Sequence, residues 1–122
     1  MVGLGGFCGS IIRFLLGGAV QGASRAEAFP VGTTVINLSG CFLIGFLSLW
    51  ADSRRLLSDA GRSFLFIGIL GGYTTFSTFG NETVNLFHSG DHGLAMANVG
   101  VQVLGGLLFV WVGRMAAGLI WK

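Results

Sequence analysis

Gly71-Gly72-Tyr73-Thr74-Thr75-Phe76-Ser77-Thr78-Phe79 places a glycine pair, five hydroxyls and two phenyl rings inside an otherwise apolar and uncharged stretch, residues 63–81. Hydrocarbon offers the backbone no water, and each unpaired N–H or C=O there costs several kcal/mol. A helix that weakens at such a depth therefore needs a protein-lined polar cavity or an ion. Glycine and β-branched threonine both lower helix propensity, and threonine hydroxyls can satisfy groups that a broken turn releases. The run predicts a break near Gly71 to Thr75. A broken helix offers carbonyls from its first half, which suit a cation, and N–H groups from its second half, which suit an anion. A simple kink is the competing reading.

The surroundings of this run are those of a membrane protein. The 122-residue chain is 52% hydrophobic and 10% charged, with mean hydropathy +0.79, whereas a soluble domain carries about a quarter charged residues. Residues 28–51, 63–81 and 93–113 hold no charge, and residues 1–24 hold only Arg13. A spanning helix needs roughly 20 apolar residues. The expectation is an all-α integral membrane fold, one transmembrane domain over residues 1–122 with four spans, the third of them broken. The first dozen residues lack a basic n-region and Arg13 falls within what would be the apolar core of a leader, so the first segment is expected to remain in the mature protein.

Charge and punctuation organise the rest. A net charge of +2 without a dense basic run gives no reason to expect nucleic acid as a partner. With four spans, Arg54, Arg55, Arg62, Arg114 and Lys122 share one side and only Arg25 lies on the other, which favours both termini inside. Pro30 opens the second segment, a position where its missing N–H is not needed. The second connection is read as Asp52 to Gly61. Trp50, Trp111 and Trp121 fall near span ends, where indoles prefer the headgroup zone. Gly5 and Gly9, Gly18 and Gly22, and Gly68 and Gly72 repeat the small-xxx-small spacing that lets helix backbones approach in lipid. Cys8 and Cys41 lack metal-ligand or redox spacing and read as buried small hydrophobes. His88 and His92 flank Asp91 in a short loop with no third ligand nearby, which favours solvated side chains over a metal site.

Several polar residues sit where a lipid-facing helix would not have them. Asn37, with Thr33 one turn before it, must either pair with a neighbouring helix or serve a ligand. Asn98 and Gln102 are spaced i, i+4, so both amides leave the fourth segment in one direction. Arg13 is the only charge of its segment and faces a cavity or snorkels. Phe76 and Phe79, at i, i+3, share a face of the restarted helix. A phenyl ring has a positive edge that can contact an anion weakly, and packing is the plainer use of such rings. Glu82 lies one turn beyond Phe79, where a carboxylate is protonated, hydrogen-bonded or alternates with an anion for the same donors. No nucleophile or partner histidine accompanies it, so an enzyme is not expected.

The run from Gly71 to Phe79 resembles the signature of the Fluc-type fluoride channels, and the likeness extends to Gly5-Gly6-Phe7-Cys8-Gly9-Ser10-Ile11-Ile12-Arg13 and Gly32-Thr33-Thr34-Val35-Ile36-Asn37, in the family's order. The resemblance implies an antiparallel homodimer of four-helix subunits in the inner membrane, passively exporting cytoplasmic fluoride through two pores. It implies that the carbonyls of Gly71 and Thr74 from two subunits hold a central sodium ion. It also implies that Asn37, Phe76 and Phe79 line the pore, that Asn98 and Gln102 are rungs of a polar track, and that Arg13 raises the anion concentration at a vestibule. Thr33, Ser77 and Thr78 would replace hydration hydrogen bonds of the small anion, and a larger halide would fit badly. Two departures stand out. The third rung of the track is Gly105 or Gly106, and the basic bias of five to one differs from the balanced charge of dual-topology members. The alternatives from other classes are a small proton-coupled multidrug transporter, which would carry a carboxylate in segment one where this chain has Arg13, and a non-transporting assembly subunit, which the glycine spacings alone would suit.

Overall fold

The computed structural model describes residues 1–54 and 57–120, the side chains of 53 and 54 excepted. Arg55, Leu56, Trp121 and Lys122 lie outside the described residues, as does the Arg54 side chain, so part of the basic count and one of the three interfacial tryptophans rest on sequence alone. The described residues form helices joined by short turns, with no strand among them.

Helix α1 is Val2–Ser24, ended by Arg25 in the left-handed region at φ 54. Helix α2 is Val31–Arg54, opening directly after Pro30. Helix α3, residues 59–73, begins as Asp59–Arg62, widens into π-helical winding over Ser63–Leu70 and closes with Gly71–Tyr73. Helix α4 is Phe76–His88. Helix α5 is His92–Ile120, with a second wide-wound stretch at Val101–Gly105. Three of these, Val2–Ser24, Val31–Asp52 and His92–Ile120, are long and apolar enough to cross a membrane. The third apolar segment is divided between α3 and α4. The chain is therefore an all-helical membrane protein.

The second connection is shorter than Asp52 to Gly61. Helix α2 continues to Arg54, and Ser58 caps α3 by accepting the Gly61 N–H at 3.2 Å, with Asp59 in the favourable first turn. Arg62 then reaches back to Asp52 at 2.9 Å, tying the two helix ends across the turn. Between α4 and α5 the chain reverses in three residues, Ser89 to Asp91, using Gly90 at φ 87. His88, Asp91 and His92 are all exposed there, and the His92 ring lies tilted against Phe87 with ring centroids 5.7 Å apart.

Glycine governs the closest packing. A Cβ at Gly5 would lie 2.5 Å from the Phe64 carbonyl oxygen and 2.9 Å from Gly68 Cα, and one at Gly72 would lie 2.7 Å from the Gly6 carbonyl oxygen. One at Gly9 would overlap the Ile69 carbonyl. Helix α1 thus lies backbone to backbone on α3, as the Gly5, Gly9, Gly68 and Gly72 spacings predict. The Gly18 and Gly22 pair differs, since a Cβ at either meets nothing within 4 Å. The close approach at this end of α1 is made on another face, where a Cβ at Gly32 of α2 would overlap the Gly17 carbonyl. Cys8 is exposed among the apolar residues on the outer face of α1 and Cys41 is half-buried, so only the second approaches the expected burial.

The break falls within the expected Gly71 to Thr75 window, at its threonine end rather than at the glycine pair. Gly71 keeps a helical backbone at φ −65, ψ −36, while Thr74 (φ −82, ψ 158) and Thr75 (φ −150, ψ 112) are extended. Close contact with α1 holds Gly72 in the helix, and the β-branched pair takes the extended conformation that its side chains favour.

Candidate functional site

Thr75 lies on the partition between two clefts. On one side is a cavity of about 390 Å³ lined by Asn37, Gln102, Thr75, Phe76 and Phe79, and on the other a groove of about 800 Å³ reached by Arg13, Thr33, Thr75, Thr78 and Glu82. The chain can stand extended here because its backbone groups find partners. The Thr75 N–H donates to Asn37 Oδ1 at 2.8 Å, and Asn37 Nδ2 donates to the Thr75 carbonyl at 3.0 Å. The hydroxyls do what the sequence predicts for them: Thr74 Oγ1 donates to the Leu70 carbonyl at 3.0 Å, and Thr75 Oγ1 caps α4 by accepting the Thr78 N–H at 3.4 Å.

Asn37 also begins a relay of one polarity. Its Nδ2 donates to Gln102 Oε1 at 2.6 Å, Gln102 Nε2 donates to Asn98 Oδ1 at 2.8 Å, and Asn98 Nδ2 donates to Thr83 Oγ1 at 2.9 Å. Thr83 Oγ1 then donates to the Phe79 carbonyl at 2.8 Å. Reversing any one amide would set donor against donor, so the order of the chain fixes each orientation. Bonds aligned in this way polarise one another. Both ends of the relay meet the segment after the break, at Thr75 and at Phe79. Asn98 and Gln102 do leave α5 in one direction, as their spacing predicts, but Asn98 is 0% exposed and lines neither cleft, whereas Gln102 lines the smaller one.

Phe76 and Phe79 are in contact, with ring centroids 5.4 Å apart and planes inclined at 52°. They differ in setting: Phe76 is 81% exposed and Phe79 is 8% exposed. Thr33 and Glu82 are joined by a 2.7 Å bond from Thr33 Oγ1 to Glu82 Oε1, which makes Glu82 a hydrogen-bonded carboxyl, while its buried Oε2 has no partner among the described residues. Ser77 and Thr78 are exposed at the start of α4, and the Thr78 hydroxyl lies 2.9 Å from that of Thr75.

The carbonyls of Gly71 and Thr74 end α3, where a helix carries negative partial charge. The N–H that would close the next helical turn onto Gly71, that of Thr75, is bonded to Asn37 instead. The Thr74 carbonyl accepts the Arg13 guanidinium at 3.2 Å and keeps a second lone pair. These are two hard carbonyl oxygens of the kind that suits a monovalent cation, one of them already facing the Arg13 charge. Among the described residues no cluster of three His, Cys, Asp or Glu side chains is placed to hold a metal ion.

Three participants escape a reading of the sequence. Thr83 reads as an ordinary helical threonine. Gln21 lies far from the motif, yet it donates to the Ala26 and Phe29 carbonyls (2.8 and 3.2 Å) and accepts the Gly32 N–H at 2.8 Å, fixing the turn that delivers Thr33. Tyr73 is buried with its hydroxyl 2.8 Å from that of Ser39, holding the end of α3 against α2. For Gln21 the only available signal was a lone amide beside the Arg25 to Pro30 turn.

The description CrcB-like protein, Camphor Resistance (CrcB), fits residues 1–114. The fluoride-specific ion channel FluC of Opitutus terrae is 43% identical over 118 residues, covering 95% of this chain and 89% of that protein. FluC of Elusimicrobium minutum is 42% identical over 120 residues, 98% of this chain and 93% of its own length. FluC 1 of Brucella melitensis biotype 1 is 45% identical over 123 residues, with 97% of each chain covered. On the match to residues 1–114 and these near full-length identities, the chain belongs to the CrcB-like family.

Proposed function

We propose that the protein is a fluoride-selective channel that lets cytoplasmic fluoride leave passively across the inner membrane. The observation that carries this reading is Thr75, a non-helical residue lining two clefts at once, flanked by an amide, hydroxyls and two phenyl rings. An anion passing between the clefts meets Arg13 and Thr33 on one side and Asn37, Phe76 and Phe79 on the other. Each contact is individually weak or shared, which permits exit as well as entry. Fluoride-specific relatives at 42% to 45% identity over nearly the full chain support the choice of ion. No observation favours a proton-coupled exporter or a non-transporting subunit.

The working unit in this proposal is an antiparallel homodimer of four-span subunits, with α3 and α4 together forming the third span. Its support is the exposure of Phe76 and of Gly71 in the single chain, both of which a second copy would cover. A sodium ion at the dimer centre would be held by the Gly71 and Thr74 carbonyls of both copies, and it would supply fixed positive charge between the two pores.

Purified protein in liposomes, followed with a fluoride electrode, tests the function. Fluoride should leave down its gradient without a proton requirement while chloride is largely retained. Equal fluxes of the two halides, or movement of a lipophilic cation, would overturn the assignment. Accessibility of a C-terminal tag from each side of the membrane tests the assembly. A tag found wholly inside, as the basic bias alone would give, is incompatible with an antiparallel homodimer.

A further inference from the structure

Asn37 has two side-chain protons and both are taken, one by the Thr75 carbonyl at 3.0 Å and one by Gln102 Oε1 at 2.6 Å. Yet Asn37, Gln102, Phe76 and Phe79 line one cavity. An anion in that cavity can accept a hydrogen bond from Asn37 only by displacing one of these acceptors. The two candidates are unequal. The Thr75 carbonyl is backbone, and the same residue's N–H holds the other end of the Asn37 amide at 2.8 Å. Gln102 Oε1 sits at the end of a flexible side chain, half-buried against the cavity. Its amide nitrogen is anchored separately to Asn98 at 2.8 Å, with a longer contact to Thr34 at 3.4 Å, so the planar amide keeps its O-to-N order and leaves Asn37 as a unit, by side-chain torsions that pivot it about the bond to Asn98.

We propose that Gln102 is a specificity-determining residue whose side-chain carbonyl occupies the Asn37 donor as a built-in competitor that fluoride displaces and chloride does not. The inference rests on the channel reading and names a selectivity device within it. A bond from an amide to a compact anion is stronger than one to a neutral carbonyl, because the acceptor carries full charge at short range. Fluoride therefore gains by the exchange. Chloride is larger, its charge is more diffuse and its bond to the amide is weaker, so the exchange does not compensate for breaking a 2.6 Å contact in a half-buried site. Selectivity here comes from what the anion must replace, in addition to the size of the path. Turned aside, the carbonyl presents its negative end near the bound ion, which helps the ion leave.

Two experiments decide it. In liposomes at saturating halide, Gln102→Met keeps the length of the side chain and removes the acceptor, and it should raise the chloride-to-fluoride flux ratio up to about tenfold, the worth of the one neutral bond that chloride no longer has to break. Thr34→Val removes the 3.4 Å contact to the Gln102 amide nitrogen and a bond to the Pro30 carbonyl, leaves the Gln102 carbonyl in place, and should leave the ratio unchanged. In the unaltered protein, carbon-13 at the side-chain carbonyls of its two glutamines, Gln21 and Gln102, should report the displacement directly. Sodium fluoride should shift the Gln102 resonance and leave Gln21 in place, and sodium chloride should shift neither. The labelling experiment stands even where the Met variant fails to fold. Fluoride flux in Gln102→Met with chloride excluded as before, or a Gln102 resonance indifferent to saturating fluoride, overturns the competitor role while leaving the channel reading intact. Absence of fluoride flux through the unaltered protein overturns the channel reading, and this inference with it.

Discussion

Asn37 pairs with Thr75 as a neighbouring strand would, accepting its N–H at 2.8 Å and donating to its carbonyl at 3.0 Å. One side chain thereby replaces the helical partner that the Thr75 N–H loses where α3 ends, and adds a bond to the carbonyl from which α4 begins. The extended Thr74-Thr75 pair is stable at this depth only because α2 supplies that amide.

Replacing Asn37 with leucine leaves the Thr75 N–H and the Gln102 carbonyl without a partner, while the Thr75 carbonyl, at the cap of α4, keeps its helical bond. Each orphaned polar group costs roughly 1–3 kcal/mol, so Asn37→Leu should lose about 2 kcal/mol or more of stability as well as fluoride flux. Thermal unfolding in detergent, read beside liposome efflux, checks both. A variant of wild-type stability without flux would show that the amide serves the ion alone.

The glycine contacts predict a graded series. Alanine at Gly5, Gly9 or Gly72 drives a methyl group into backbone of the facing helix, which cannot yield as a side-chain tip would. Each should destabilise by about 1–3 kcal/mol. Gly18→Ala and Gly22→Ala meet open space and should be neutral or slightly stabilising through helix propensity. Melting temperatures of the five variants order the set, and equal losses across all of them would contradict the α1 on α3 packing.

Thr33 gives Glu82 Oε1 its partner. Thr33→Val keeps the shape of the side chain and removes that donor from the groove shared with Arg13 and Thr78, so fluoride flux should fall about tenfold, in keeping with loss of a bond to a charged group. Thr33→Ser restores the hydroxyl and should restore most of the flux. Failure of serine to rescue would assign the effect to the lost methyl group.

The break could be read from the sequence because its cause is local: two β-branched residues beside hydroxyl-rich turns in apolar surroundings. The residue that actually leaves the helix could not. Gly72 stays helical because Gly6 lies against it, a contact between distant parts of the chain. The polar residues were legible as a set for the same reason, since an amide in hydrocarbon must have a partner. Their partners were not, because Asn37 and Gln102 are 65 residues apart and the relay exists only once α2, α4 and α5 have met. Thr83 gave no signal because a helical threonine bonding its own i−4 carbonyl is ordinary, and nothing in its spacing announces that it also accepts from Asn98.

Phe76 and Phe79 were indistinguishable by spacing, yet the fold buries one and exposes the other, and this separates packing from ion contact. Isoleucine keeps the apolar character and much of the bulk while removing the ring quadrupole. At Phe79, 8% exposed, the exchange alters a packed site and should cost about 1 kcal/mol. At Phe76, 81% exposed in the single chain, the same exchange should leave the subunit fold unchanged. If the ring edges contact the anion, both variants lose flux sharply despite this difference in stability. Phe109→Ile, in α5 away from the break, should lose little of either. Efflux and gel filtration on the three variants decide the matter: flux that follows stability, falling at Phe79 and surviving at Phe76, assigns the rings to packing, and flux lost at both with the assembly intact assigns them to the path of the ion.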